Sequence, residues 1–400
     1  MSPKRPTLMF VLGLAPRKIG GLEKFLKYLV VALDAVGWDS VLCFDGLISA
    51  EFREYISSPF VLIESIDNQG DLGFACAGKL WNLLRKHKPD TFVYAFSSVM
   101  RCFPWLAKIA GCKQIFFNDR SSRSQNQEAS PLGFSKRVIG RVLTAPLTAI
   151  ISNSAFTCRM GEAAGLSSAR HLVVLNGVEV REIDPGRRVR FREMYGISMD
   201  DMVITQVCWM VEAKGVDTML RAAEMLLQKH AGVRFLLVGD GPQLPVYKRT
   251  AAELGIDSAV VFTGLISNPD ETGVFDTTDI YCQPSLWQEA SSFAVLEAMS
   301  CKLPVIVSNT GGMAENVEEG RSGILVPTKD AESLCAALDQ LVTEAELRRS
   351  MGAEGYQLIL EKHRIEDIAE QYVGILIGGR NGMTKPVAHE QQSREAVQKS

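Results

Sequence analysis

The chain has 400 residues, 46% hydrophobic and 22% charged, with a formal net charge of −3, which is the balance of a soluble folded protein with room for two globular domains. Its apolar runs, such as YLVVALDAV from Tyr28, fall well short of the ~18 uninterrupted apolar residues of a membrane span. The nine cysteines are scattered, with no CxxC pair, so the sequence indicates neither a disulfide framework nor a zinc site.

The small net charge hides an asymmetry. Residues 1–180 carry 21 Lys and Arg against 14 Asp and Glu, and residues 181–400 carry 22 against 32. Two halves of opposite sign suggest two domains with different partners. The N-terminus begins with basic residues but has no small-residue cleavage site before a strand-like run, so a cytoplasmic location is expected.

In chain order, TLMFVLGL (7–14) predicts a buried strand, and Gly20-Gly21 opens a helix whose apolar residues from Leu22 to Val36 recur at i, i+3, i+4 and i+7 until Gly37. Strands are expected at 40–44, 91–96, 114–118, 149–153 and 172–176. KLWNLLRKHK (79–88) and FSKRVIGRVL (134–143) are basic and amphipathic. They suit either an anionic membrane and a phosphate-bearing acceptor, or plain solvated helix faces. The polar stretch 177–190 reads as a linker. Strands then follow at 202–210, 234–240, 259–264, 280–285 and 304–308, with helices at 216–229, 242–254 and 292–301. The alternation predicts two facing doubly wound α/β domains, over 1–180 and 181–379, with a ligand cleft at the carboxyl ends of the strands. The polar tail 380–400 is expected to be disordered.

Three glycine turns at strand ends have the composition of phosphate contacts: Gly20-Gly21, Gly239-Asp240-Gly241 and Gly311-Gly312. GDGPQL places Leu244 where a dinucleotide fingerprint needs its third glycine. No D-x-D pair is present to hold a metal against a nucleotide diphosphate, so neutralisation falls to a cation such as Lys214, set between a strand and a helix. PSLWQEASSFAVLEAM (284–299) carries Glu289 and Glu297 eight positions apart. Ser291 or Ser292 is placed to cap the helix between them.

The ordered stretches GGLEKFLKYLVVAL, ISNSAFTCRMGEAAGL, VLNGVEV, AKGVDTMLRAAEML, LLVGDGP, VFTGLIS and PSLWQEASSFAVLEAMSCKLPVIVSNTGG, with the E-x7-E spacing of Glu289 and Glu297, resemble the family 4 glycosyltransferases. That resemblance implies the GT-B fold of two Rossmann-like domains, the N-terminal one on the acceptor side and the C-terminal one binding a nucleotide sugar, with the last helix packing back on the N-terminal domain. It implies retaining transfer of a sugar, a hexose by expectation, without metal or cofactor. The donor is a nucleotide-diphosphate sugar, uridine-linked by family frequency. The acceptor is a saccharide or a lipid-linked saccharide, in polysaccharide or glycoconjugate biosynthesis, with peripheral contact at the inner face of the cell membrane through the basic N-terminal domain.

Within that resemblance Glu289 is expected at the transferred sugar. Glu297 lies about 7 Å further along the helix, at ~1.5 Å per residue, and is expected at the ribose. Lys214, Gly20, Gly21, Gly239, Gly241, Ser291 and Ser292 are expected around the diphosphate. A glycosidase pair of carboxylates is the competing reading of the glutamates, disfavoured by the glycine turns and lysine that suit a phosphate leaving group. Two positions depart from the family. Cys208-Trp209 stands where Gly-Arg is usual, leaving Trp209 to stack on a ring and a second cation to come from elsewhere, Arg120 and Arg123 being candidates. Asn118 stands near the usual histidine and is expected at the catalytic site. The loss of that arginine favours an alternative, a non-catalytic GT-B relative that binds nucleotide sugar or supports a partner transferase.

Overall fold

A computed structural model describes residues 4–16, 18–66, 74–124 and 128–378, so the tail expectation for 380–400 lies outside the described residues. The first sheet contains β1 (Thr7–Leu12), β2 (Asp39–Phe44), β3 (Val61–Ser65), β4 (Thr91–Ala95), β5 (Gln114–Asp119), β6 (Ala149–Ser152) and β7 (Arg170–Val173). They pair in parallel in the order β3-β2-β1-β4-β5-β6-β7. The second sheet contains β8 (Met202–Val207), β9 (Val233–Val238), β10 (Val260–Gly264), β11 (Ile280–Gln283), β12 (Val305–Ser308) and β13 (Gly323–Val326), also parallel, in the order β10-β9-β8-β11-β12-β13. In each sheet the strand order reverses once, between β1 and β4 and between β8 and β11. Ligands of doubly wound sheets bind at such reversals.

The central strands are largely apolar because helices cover both faces; β1 is buried at every position. The helix Gly21–Ala35 turns Phe25, Leu26, Leu29 and Leu33 onto the first sheet. The C-terminal helix Ile365–Gly378 returns to the same core, where the Tyr372 ring meets Phe25 edge-on at 5.4 Å. Among the described residues no helix is long and apolar enough to cross a membrane.

The linker expectation for 177–190 needs correction. From Pro185 the chain is a helix, Pro185–Tyr195, started by proline in its first turn and by the Asp184 carboxylate, which accepts the Gly186 N–H at 2.7 Å. Its sequence is polar almost all round, so the usual apolar stripe is absent. It is held by Phe191, buried against Val203, Leu236 and Val274, and by buried Arg192, which donates to the carbonyls of Asp201 and Thr277 at 2.9 and 3.1 Å.

Candidate active site

Lys214 and Glu289 leave the second sheet from the two strands that flank its reversal. Lys214 ends a short 3-10 turn, Glu212–Lys214, after β8, and Glu289 lies in the loop after β11. Gly215 follows at φ 69°, with the position of a Cβ only 1.8 Å from the Pro284 carbonyl oxygen, so the two loops touch backbone to backbone. That contact sets the Lys214 ammonium 2.7 Å from the Glu289 carboxylate. Glu289 is 6% exposed. Its second oxygen accepts from the Ser285 hydroxyl, at the end of a buried string in which Tyr281 donates to Gln283 at 3.1 Å and Gln283 to Ser285 at 3.0 Å. A carboxylate held from both sides cannot swing away when a ligand enters.

Ser292 caps the helix Phe293–Ser300, accepting the Val295 N–H at 3.5 Å, while the Ser291 hydroxyl accepts from the Asn316 amide at 3.1 Å. Glu297 sits on that helix, 8% exposed, and burial pushes its carboxyl up to about 8; Asp270 pushes the same way, and Lys24 and Lys18 oppose. The N-terminus of Gly21–Ala35 abuts this helix, because a Cβ on Gly21 would lie 2.3 Å from the Phe293 ring. The Gly20 N–H is already taken by the Glu23 carboxylate at 3.1 Å, which removes it from the free donors expected there.

Gly239 and Gly241 are explained by packing. A Cβ on Gly239 would meet the Cys208 carbonyl oxygen at 1.9 Å, and one on Gly241 the Met210 carbonyl oxygen at 2.6 Å. Between these contacts Trp209 stands 53% exposed. Burial pushes the adjacent Cys208 thiol up to about 12, with Lys214 and Lys18 pulling against it and Glu289 adding to it.

Residues 18–20, 123 and 154 bring the first sheet's loops against this cluster. The Asn268 N–H donates to the Ile19 carbonyl at 3.1 Å, Arg123 and Gln288 exchange backbone hydrogen bonds at 2.8 and 3.0 Å, and a Cβ on Gly312 would lie 2.3 Å from the Ser154 hydroxyl. Buried Lys24 bridges to Asp270 and to Glu179, the latter at 3.2 Å.

Asn118 needs correction as a catalytic expectation. Its side chain leaves β5 toward the C-terminal helix and donates to the Tyr372 hydroxyl at 2.7 Å, both residues being buried. Neither proposed replacement cation is free. Arg120 is bonded to Asn176 at 2.9 Å, with its guanidinium over the Phe25 and Phe293 rings, and burial lowers its pKa. Arg123 lies 3.5 Å from the Asp119 carboxylate. Lys18, Lys24, Asp270 and Ser285 are the members that sequence reading missed. Only Lys24 had a local signal, lying beside the helix-capping Glu23 just after the glycine pair. Among the described residues no group of His, Cys, Asp or Glu is arranged to hold a metal ion.

Residues 188–358 match the family model described as glycosyl transferases group 1. The chain is 26% identical over 316 residues, 76% of its length and 80% of the relative's, to a GDP-mannose-dependent alpha-(1-6)-phosphatidylinositol monomannoside mannosyltransferase of Mycolicibacterium smegmatis. It is 31% identical over 181 residues, 43% of its length and 42% of the relative's, to a D-inositol 3-phosphate glycosyltransferase of Saccharomonospora viridis. Among solved structures, Anabaena Alr3699/HepE in complex with UDP and glucose aligns with a TM-score of 0.73 at 18% identity, covering 92% of this chain and 98% of that one. A glycosyltransferase from Rickettsia africae aligns at 0.80 and 16%, covering 96% and 100%. The second sheet thus matches the glycosyl transferases group 1, and along nearly its whole length the chain shares the two-domain GT-B fold of solved glycosyltransferases.

Proposed function

We propose that the enzyme is a retaining, metal-independent hexosyltransferase that passes a sugar from a nucleotide-diphosphate donor to a saccharide or lipid-linked acceptor. The observation that carries this reading is the Lys214–Glu289 pair, fixed at the strand-order reversal beside the Ser292-capped helix. A carboxylate held there accepts hydroxyl hydrogen bonds from the donor sugar. The ammonium and the free N–H groups of the helix take the charge that grows on the departing phosphate. In the step itself the anomeric carbon–oxygen bond to phosphate breaks and the acceptor oxygen bonds on the same face. The acceptor proton passes to the departing phosphate. Glu297, whose carboxyl burial pushes above its ordinary range, faces the ribose hydroxyls.

A lipid-linked acceptor is supported by the helix Phe134–Thr144. It exposes Phe134, Val138, Ile139 and Val142 together with Lys136 and Arg141, and so suits peripheral contact with an anionic membrane. A uridine donor rests on the UDP held by the Anabaena neighbour, and the mannosyltransferase relative makes GDP the alternative to test.

The test is calorimetric binding of UDP and GDP in a chelator-containing buffer. One nucleotide should bind, and Lys214→Ala should weaken it by about 1.5–3 kcal/mol, the worth of a charge-assisted contact. Unchanged affinity in a variant that melts normally would remove Lys214 from the site.

A further inference from the structure

We infer that Lys18, delivered by the N-terminal half, is the second cation on the donor diphosphate, replacing the one the chain lacks at Trp209. The inference rests on the donor-site reading above and adds to it a residue from the opposite wall.

Lys18 lies in the loop after β1, the strand at the reversal of the first sheet. It is exposed, immediately before buried Ile19 and Gly20, and among the described residues its side chain makes no hydrogen bond or ion pair, its charge acting on the nearby Glu23 carboxyl. Its position is fixed by its neighbours. The Ile19 N–H donates to the Ser267 hydroxyl at 3.5 Å and the Ile19 carbonyl accepts from Asn268, which fastens the loop to the turn after β10. The Lys18 ammonium lies 3.8 Å from the place a Cβ on Gly20 would occupy, and the next residue, Gly21, is against the Phe293 ring in the first turn of the Ser292-capped helix.

Lys18 therefore stands beside the helix terminus that the donor phosphates would approach. From there its charge is felt by Glu297 and by the Cys208 thiol. Lys214 acts on the same thiol from the other wall. The charges of both ammonium groups thus reach the Cys208 thiol beside Trp209. Other cations around the cleft are committed: Lys24 to Asp270 and Glu179, Arg120 to Asn176, and Arg123 to Asp119. A diphosphate carries more charge than Lys214 neutralises, the more so because Lys214 already faces Glu289, and Lys18 supplies the balance.

The experiment is calorimetry on wild type, Lys18→Ala and Lys214→Ala, using UDP or GDP, whichever the wild type binds, with the corresponding monophosphate and nucleoside. Lys18→Ala should weaken the diphosphate roughly tenfold or more, the monophosphate less and the nucleoside not at all. A merely structural role for Lys18 would weaken all three alike, and that result would overturn the inference. So would unchanged diphosphate affinity in Lys18→Ala when Lys214→Ala loses it, an outcome that leaves the donor-site reading standing. Failure of the wild type to bind either diphosphate would overturn both.

Discussion

Replacing Lys24 with methionine tests whether the two halves are tied together by buried charge. The Lys24 and Asp270 side chains are each 5% exposed and in direct contact across the halves. Glu179 is 3.2 Å from Lys24, and Arg181 is 3.7 Å from Asp270. Burial by itself pulls the Lys24 ammonium down, yet Asp270, Glu297 and Glu179 hold it above its ordinary range. Lys24→Met removes the main partner of a carboxylate that has almost no water. Stranding one member of a buried pair costs ~3–5 kcal/mol, and Arg181 remains near enough to place this case at about 3. Glu179, 27% exposed, can turn to solvent and adds little. The double variant Lys24→Met/Asp270→Leu should recover most of the loss, because apolar packing commonly replaces a buried pair without penalty. Urea unfolding of wild type, both single variants and the double variant measures the coupling. A Lys24→Met cost below about 0.5 kcal/mol would refute the reasoning, since it would mean that water reaches the pair.

Two further outcomes concern groups away from the donor. Asn118→Ala should cost about 1–3 kcal/mol of stability by leaving the buried Tyr372 hydroxyl unpaired, with nucleotide affinity and turnover kept; lost turnover at unchanged stability would return Asn118 to the site. Burial pushes His363 down to about 4 from 6.5, against the hydrogen bond of its Nδ1 with the Asn176 carbonyl at 2.8 Å. The unfolded chain therefore takes up this proton first. The contribution is complete above pH 6.5 and is lost as pH falls through 4, so His363→Gln should flatten urea midpoints over that window, and an unchanged slope would exclude it.

The sequence made the buried strands legible because a strand covered on both faces needs a largely apolar run, unbroken from Leu8 to Leu12 in β1 and interrupted only by buried Thr205, Gln206 and Gln283 in β8 and β11. The edge strand β3 is only partly buried and lacks that signal, and the helix Pro185–Tyr195 is held by a single buried Phe191 and by arginine hydrogen bonds, too little for an apolar stripe. At the site, Ser292 could be read as a cap because capping is local. The Lys214–Glu289 contact spans 75 residues and exists only because β8 and β11 are neighbours at the strand-order reversal. Asn118 misled for a related reason. Its chain position fits a cleft residue, but side chains alternate along a strand, and its own points to the C-terminal helix.

The glycine turns show how one sequence signal carries two causes. Gly239 and Gly241 are required by the close passage of the loop after β8, and Gly21 and Gly312 by contacts with Phe293 and Ser154, before any phosphate is considered. Composition alone could not separate this from anion binding, because both need backbone without a Cβ. The separation comes from charge. Gly21 and Gly312 let the two halves meet closely, and the same closure carries Lys18 to the helix that Ser292 caps. A linear reading looks for the missing cation within the strand-to-helix turn where an arginine is absent, at Trp209. The inferred cation comes from a loop on the other sheet, nearly 200 residues earlier, and on that inference donor binding would be coupled to closure of the halves.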